Sequence, residues 1–354
     1  MVVLSLILTS CGLAIGATTA VAPELAEVAT GAAQMRAADA APEPVHAPSV
    51  VVAPEPAVVP KPTRGAAEVG PMTHVWQSIN NCGPAAVVMA LSTMGVSASQ
   101  EVARLALRGP DERRGMGPAP VDPWVRKEFG LRSIWRSNGT NALMKALVSN
   151  GFAPMVTQWL EDPWKSRIAH WRTVRGYDDT RGVFYVNDSV LGARVGLSYD
   201  WFGQNWQPFS YRYMVVYRPE NEPLLRAIVG EDWSERHMRQ RLYERARAEA
   251  QAQGTSAAWL AYGEAAYQYG MFEEAVAAFD KGMTLGSAVG VYTLRSSYPQ
   301  ALRALGRRPE AEEAQRRLAS IAPVPATVAA APDPFAVWLA VQRSIAFDAL
   351  RPSE

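Results

Sequence analysis

Between residues 41 and 62 the chain meets a proline every few residues, at Pro42, Pro44, Pro48, Pro54, Pro56, Pro60 and Pro62. Each one removes a backbone donor and fixes φ, so neither a helix nor a central strand can pass through this stretch. With Ala and Val filling the gaps, residues 23–71 read as an extended tether, and a packed core has to be built from the residues C-terminal to it. The 354 residues are 48% hydrophobic, enough for one medium core and a smaller helical one. Residues 72–218 alternate polar and apolar segments of strand and helix length and form the first expected unit. Residues 219–321 turn helical and rich in Ala, Arg and Glu. A second proline-rich stretch opens residues 322–354, followed by an amphipathic helix with Phe335, Trp338, Leu339, Ile345, Ala346, Ala349 and Leu350 on one face. The expected fold class is α+β followed by an all-α region.

Lys and Arg total 35 against 34 Asp and Glu, so no basic field draws nucleic acid and no acidic one concentrates cations. The sequence contains no GxxxxGK loop, no CxxC pair and no HExxH, and neither a cofactor nor a metal is expected. The two cysteines stand in different settings. Cys11 closes Leu8-Thr9-Ser10-Cys11 after an apolar run, which resembles the bacterial lipobox, in which the cysteine is lipidated. Residues 1–22 are therefore read as an export signal with a lipidation site at Cys11, although the first residues carry no Lys or Arg and an ordinary cut after Ala22 stays open. The expected location is the bacterial cell envelope, outside the cytoplasm, with a membrane attachment made only by lipid or signal. In that oxidising compartment Cys82 is the main free thiol, and such a thiol points to a chemical role.

Cys82 lies in Trp76-Gln77-Ser78-Ile79-Asn80-Asn81-Cys82-Gly83-Pro84, directly before the apolar helix 85–91 that Gly95 would end. Pro84 suits the first helical turn. At a helix N-terminus the partial positive charge favours thiolate over thiol, and a neighbouring imidazolium would favour it further; the competing reading is a small buried apolar cysteine. Of the four histidines, His46 falls in the tether, His237 in the helical region, and His74 has no evident orienting partner. His170 opens a strand-like run to Tyr177, which meets the turn signal 178–182 and returns as Val183 to Asp188. In a hairpin centred near residues 179–180, His170 and Asp188 are near neighbours across the strands and Asn187 points to the other face, unless a bulge exchanges the two. Asp188 by itself would serve equally as a turn cap.

Taken together, Gln77, Cys82-Gly83-Pro84-Ala85, the strand from His170-Trp171 to Gly176-Tyr177-Asp178, and Asn187-Asp188-Ser189 resemble cysteine peptidase family thirty-nine. This is the papain-like group that includes the double-glycine leader peptidases of bacteriocin exporters. The resemblance spans about residues 72–218. It implies a papain-like domain in which Cys82 is the nucleophile, His170 the general base and acid, Asp188 its orienter, and Gln77 a donor to the oxyanion beside the Cys82 backbone N–H. Two departures limit it. Ser189 stands where the family often has proline, and the exporters' membrane and ATPase domains are not in this sequence, so double-glycine specificity is not carried over.

In the helical region, Trp259, Gly263, Gly270, Phe272, Ala275 and Phe279 are spaced as in a tetratricopeptide repeat, and Tyr298, Gly306 and Ala311 fit a degenerate neighbour. The region is expected to pack on the first unit without supplying catalytic groups, and to serve either as a peptide-binding groove or as a scaffold. The functional expectation is an exported cysteine peptidase acting on peptides or envelope proteins through a thioester. The alternatives are a silent papain-like module that binds peptides, and a papain-like acyltransferase or cell-wall amidase.

Overall fold

The structure, a computed structural model, describes residues 58–111, 114–161, 167–286 and 293–320. Cys11, His46 and the amphipathic segment 335–350 lie outside the described residues. The first part contains β1 (Ala66–Glu68), α1 (Cys82–Ser92), α2 (Gln100–Leu107), α3 (Val121–Phe129), β2 (Arg132–Arg136) and α4 (Asn141–Ser149), then β3 (Met155–Glu161), β4 (Arg167–Asp178), β5 (Val183–Asp188), β6 (Gly192–Ser198), α5 (Tyr199–Trp206) and β7 (Tyr213–Tyr217). The strands form one antiparallel sheet in the order β2-β7-β3-β4-β5-β6, with β1 added to β4.

The start of this domain differs from the expected residue 72. Ala66 to Glu68 pair with Gly176 to Asp178 of β4, so the last part of the segment read as tether belongs to the sheet. The prolines end at Pro62 until Pro71, and the free backbone N–H groups between them can join a ladder. Gly176 makes room for this strand, because a Cβ there would lie 2.4 Å from Glu68 Cγ and 2.9 Å from the Ala67 carbonyl oxygen.

Helix α1 is apolar on every side and is buried from Gly83 to Leu91, as expected of a helix running through a core rather than over it. Thr173 Oγ1 donates to the Ala86 carbonyl at 3.0 Å and fastens α1 to β4. The hairpin of β4 and β5 forms, but its register does not set His170 directly opposite Asp188. Asp178 pairs with Val183, a bulge follows between Val174 and Gly176, and Arg172, not His170, stands opposite Asp188. The longer loop sets the pairing off by three residues at the turn, and the extra residue that the bulge gives β4 takes one of them back. The displacement is two residues, and because side chains alternate with period two, His170 stays on the face of Asp188.

From residue 222 onward the described elements are helical: α6 (Glu222–Val229), α7 (Glu235–Gln253), α8 (Ser256–Tyr269), α9 (Phe272–Leu285), α10 (Leu294–Ala304) and α11 (Arg308–Ser320). Gly254 and Gly270 end α7 and α8 in the left-handed conformation, and Thr255 caps α8 through its side chain, so successive helices turn back on each other. Small residues permit the close approach: a Cβ on Gly263 would sit 2.6 Å from the Phe279 ring, and one on Gly282 would sit 2.7 Å from Leu260 Cγ. The chain is thus a sheet domain followed by a helical region, an α+β fold.

The two parts share a seam. Asn138 Nδ2 donates to Asp232 Oδ2 at 2.9 Å, Arg245 Nη1 to the Gly139 carbonyl at 2.9 Å, and Gln207 Nε2 and the Tyr211 hydroxyl both to Glu249 Oε2 at 2.8 Å. Ser210 and Tyr211 have φ of 56° and 54°, a conformation uncommon for residues with a side chain. Asn138 and Gly139 donate their backbone N–H groups to the carbonyls of this corner, and α7 and α8 brace it from outside through Glu249 and through Gln268, whose Nε2 donates to Ser210 Oγ.

Candidate active site

The loop that delivers Cys82 is held from several directions. Gln100 on α2 donates to the Trp76 carbonyl and accepts from the Ser78 backbone N–H, both at 2.8 Å. Arg108, 4% exposed, reaches Asn81 Oδ1 at 2.6 Å and the Ile79 carbonyl at 3.0 Å. Cys82 is the first residue of α1 and half-buried, so the thiol is at the positive end of the helix. Gly83 follows because Met116 packs over it: a Cβ would stand 2.6 Å from Met116 Cβ. The Met116 carbonyl also accepts from Trp171 Nε1 at 3.2 Å, which ties the cover to β4.

His170 and Asp188 are buried. The His170 ring interacts with the Cys82 thiol, and its Nε2–H donates to Asp188 Oδ1 at 2.9 Å. Asp188 Oδ1 also accepts the backbone N–H groups of Val190 at 2.8 Å and Leu191 at 3.0 Å. Asp188 is therefore both the partner of His170 and the cap of the turn after β5, the two roles that compete in the sequence. Asn187 faces elsewhere, its Oδ1 accepting from Arg175 and from the backbone of Arg194.

Burial alone would keep these groups neutral, but their mutual contacts overcome it. Burial lowers the His170 imidazole, and the charge of and bond to Asp188, with the contact to Cys82, raise it to about 9. Burial pushes the Cys82 thiol up, and the bond and charge of His170 with backbone hydrogen bonds at Trp171 and Gly83 outweigh this, bringing it below its ordinary value. Burial likewise raises Asp188, yet the charges of His170 and Arg172 hold it well below the usual carboxylate range. Both shifts move the pair toward thiolate beside imidazolium.

Gln77 enters through Ser189. The Gln77 backbone N–H donates to the Ser189 carbonyl at 3.0 Å, and Ser189 Oγ donates to Gln77 Oε1 at 2.7 Å. The fold also brings in two residues that the sequence pattern does not assign to the site. Arg172, fully buried, donates from Nε to Asp188 Oδ2 at 2.7 Å and from Nη1 toward Gln158 Oε1 and the Trp159 carbonyl at 3.3 Å. Its position was legible, since it lies two residues from His170 and shares its face of β4. His74 donates from Nε2 to the Asp188 carbonyl at 2.9 Å, a contact across 114 residues that no local pattern signals. His237 is exposed on α7.

Residues 68–214 match the model of the Peptidase C39 like family. Among solved structures, one described as a C39-like peptidase from Bacillus anthracis is 11% identical, with a TM-score of 0.36, over 43% of this chain and 96% of that one. A double glycine motif protease from an AMS/PCAT transporter, in complex with the leader peptide, is 17% identical, with a TM-score of 0.32, over 43% of this chain and 94% of that one. No curated protein sequence matches the chain.

Proposed function

From a C39-like domain with a half-buried cysteine at a helix N-terminus, we propose that the protein is a cysteine peptidase. The carrying observation is that the His170 ring is hydrogen bonded to Asp188 and interacts with the Cys82 thiol at the start of α1. The Cys82 thiolate attacks the substrate carbonyl carbon, an S–C bond forms, and the carbonyl electron pair moves onto oxygen. The Cys82 backbone N–H and the Gln77 amide stabilise that oxyanion. On collapse the C–N bond breaks, and the His170 imidazolium gives its proton to the leaving amine. Water then attacks the thioester with His170 accepting its proton, the C–S bond breaks, and the thiolate returns. Asp188 keeps the imidazole oriented throughout and favours its charged form.

The substrate class proposed is a peptide or an envelope protein, with the repeat-like helices shaping access to it. Labelling with iodoacetamide or a papain-directed epoxide, followed by peptide-library profiling, tests both activity and class. Cys82→Ala should abolish labelling and cleavage, and Asp188→Asn should lower turnover by about a hundredfold or more. A wild-type protein that alkylates normally but cleaves nothing and transfers no acyl group would leave only a peptide-binding module. We also place the protein at the envelope, through Leu8-Thr9-Ser10-Cys11. Cys11→Ser should shift it from the membrane to the soluble fraction, and unchanged fractionation would remove lipidation from the account.

A further inference from the structure

We propose that Ser189 is a positioning residue that sets which end of the Gln77 carboxamide faces the substrate, an inference that rests on reading Cys82 as an acyl-transferring nucleophile. A carboxamide presents an acceptor at one end and donors at the other, and the two ends have nearly the same shape, so packing cannot choose between them. Only the N–H end can stabilise an oxyanion. A partner that discriminates donor from acceptor has to make the choice.

Ser189 has the properties of that partner. It is 1% exposed, and its Oγ lies 2.7 Å from Gln77 Oε1. Its hydroxyl has no other hydrogen-bond partner among the described residues. If the amide turned over, the Gln77 N–H would point at Ser189 Oγ and the buried hydroxyl proton would lose its acceptor. With Oε1 on Ser189, Nε2 makes no hydrogen bond among the described residues and is left for a ligand. The segment is fixed as well as the flip. The Gln77 backbone N–H is held by the Ser189 carbonyl at 3.0 Å, and the ring of His74 by the Asp188 carbonyl at 2.9 Å. Adjacent residues at the end of β5 therefore serve the two halves of the machinery: Asp188 orients the base and Ser189 orients the donor.

The test separates oxyanion formation from thiolate reactivity. Iodoacetamide alkylation displaces iodide at an sp3 carbon and builds no oxyanion. Acylation by an N-acylglycine p-nitrophenyl ester builds one, then breaks the C–O bond as nitrophenolate leaves with the electron pair. Full-length wild type, Ser189→Ala, Ser189→Thr, Gln77→Ala and the Gln77→Ala/Ser189→Ala pair are compared in both reactions. Alkylation rates should agree within about twofold throughout. Acylation should fall about tenfold in Ser189→Ala, the kinetic equivalent of one neutral hydrogen bond, and about a hundredfold in Gln77→Ala. The double variant should be no slower than Gln77→Ala, since the hydroxyl acts only through the amide, and Ser189→Thr should recover most of the loss. Wild-type acylation in Ser189→Ala, losses that multiply in the double variant, or a parallel fall in alkylation would overturn the role of Ser189 while leaving the peptidase reading intact. Absence of nitrophenolate release from an alkylatable wild type would instead overturn the acyl-transfer reading, and the inference with it.

Discussion

The Asp188 carboxylate accepts from His170, from Arg172 and from the backbone of Val190 and Leu191, with no exposure to water. Arg172 makes this burial tolerable. Thiolate, imidazolium, carboxylate and guanidinium form a set with no net charge, whereas without the arginine a buried anion would be left over. Arg172→Gln should cost about 3–5 kcal/mol of stability, as for a broken buried ion pair. It should also make activity fail at a higher pH on the acid side, because Asp188 would be held less far below its ordinary value. Arg172→Lys should recover part of both, and identical acid limbs in the three proteins would remove the electrostatic role. The alkaline side belongs to His170. Its folded value of about 9 exceeds the ordinary one of about 6.5, so its charged form stabilises the fold fully below about pH 6.5, and that contribution is lost as pH rises through about 9. Turnover should fall above about pH 9, where the leaving amine loses its proton donor, while alkylation persists because the thiolate remains. A simultaneous fall in both rates would contradict this assignment.

At the scale of elements, the site was legible where the signal was local. Gly83 and Pro84 mark a helix start, and two strand-like runs around a turn mark a hairpin, so Cys82, His170 and Asp188 could be singled out from the sequence. The register could not be, because it is set by a longer turn and by the bulge between Val174 and Gly176, beside which β1, over a hundred residues away in the chain, pairs with β4. The side of β4 carrying His170 survived only because the error was even. Arg108, Gln100 and His74 were out of reach for the same reason: each meets the nucleophile's loop or β5 through tertiary contact alone. The short spacing of Cys82 and Gly83 also carries a packing requirement. Gly83→Ala should push Met116 from over the helix start and slow alkylation of Cys82 by about tenfold, and a companion Met116→Gly, which removes the Cβ it meets as well as the thioether, should restore much of the rate by opening the space. If Gly83→Ala alone leaves alkylation unchanged, Met116 yields easily and does not hold Cys82 in place.

Over the whole molecule, the sheet domain and the helices are joined by more than the short connection at residues 219–221. Asp232, Arg245 and Glu249 reach back to Asn138, Gly139 and Tyr211, in line with the expectation that the helical region packs on the first unit. Glu249→Ala would leave the Gln207 amide and the Tyr211 hydroxyl without their acceptor, and should cost about 2 kcal/mol in denaturant unfolding of the full chain. Ending the chain after Arg218 should lower the melting temperature by about 10 °C or more, with Cys82 still reactive in whatever fraction stays folded. Equal melting of the cut and full chains would show that the helices are an independent unit.

The left-handed corner at Ser210 and Tyr211 leads directly into β7, an interior strand of the sheet. Such a corner costs about 1 kcal/mol or more for each residue with a side chain; Asn138 and Gly139 hold its carbonyls from earlier in the chain, but its side-chain braces, Glu249 and Gln268, lie on helices that come later. During synthesis the ribosome would therefore release the last interior strand before the side chains that complete the bracing of its approach exist. For the same reason a recombination event that cut cleanly at residue 218 would inherit the strain and leave the remedy behind, so the boundary visible in the sequence is a poor place for this lineage to exchange parts.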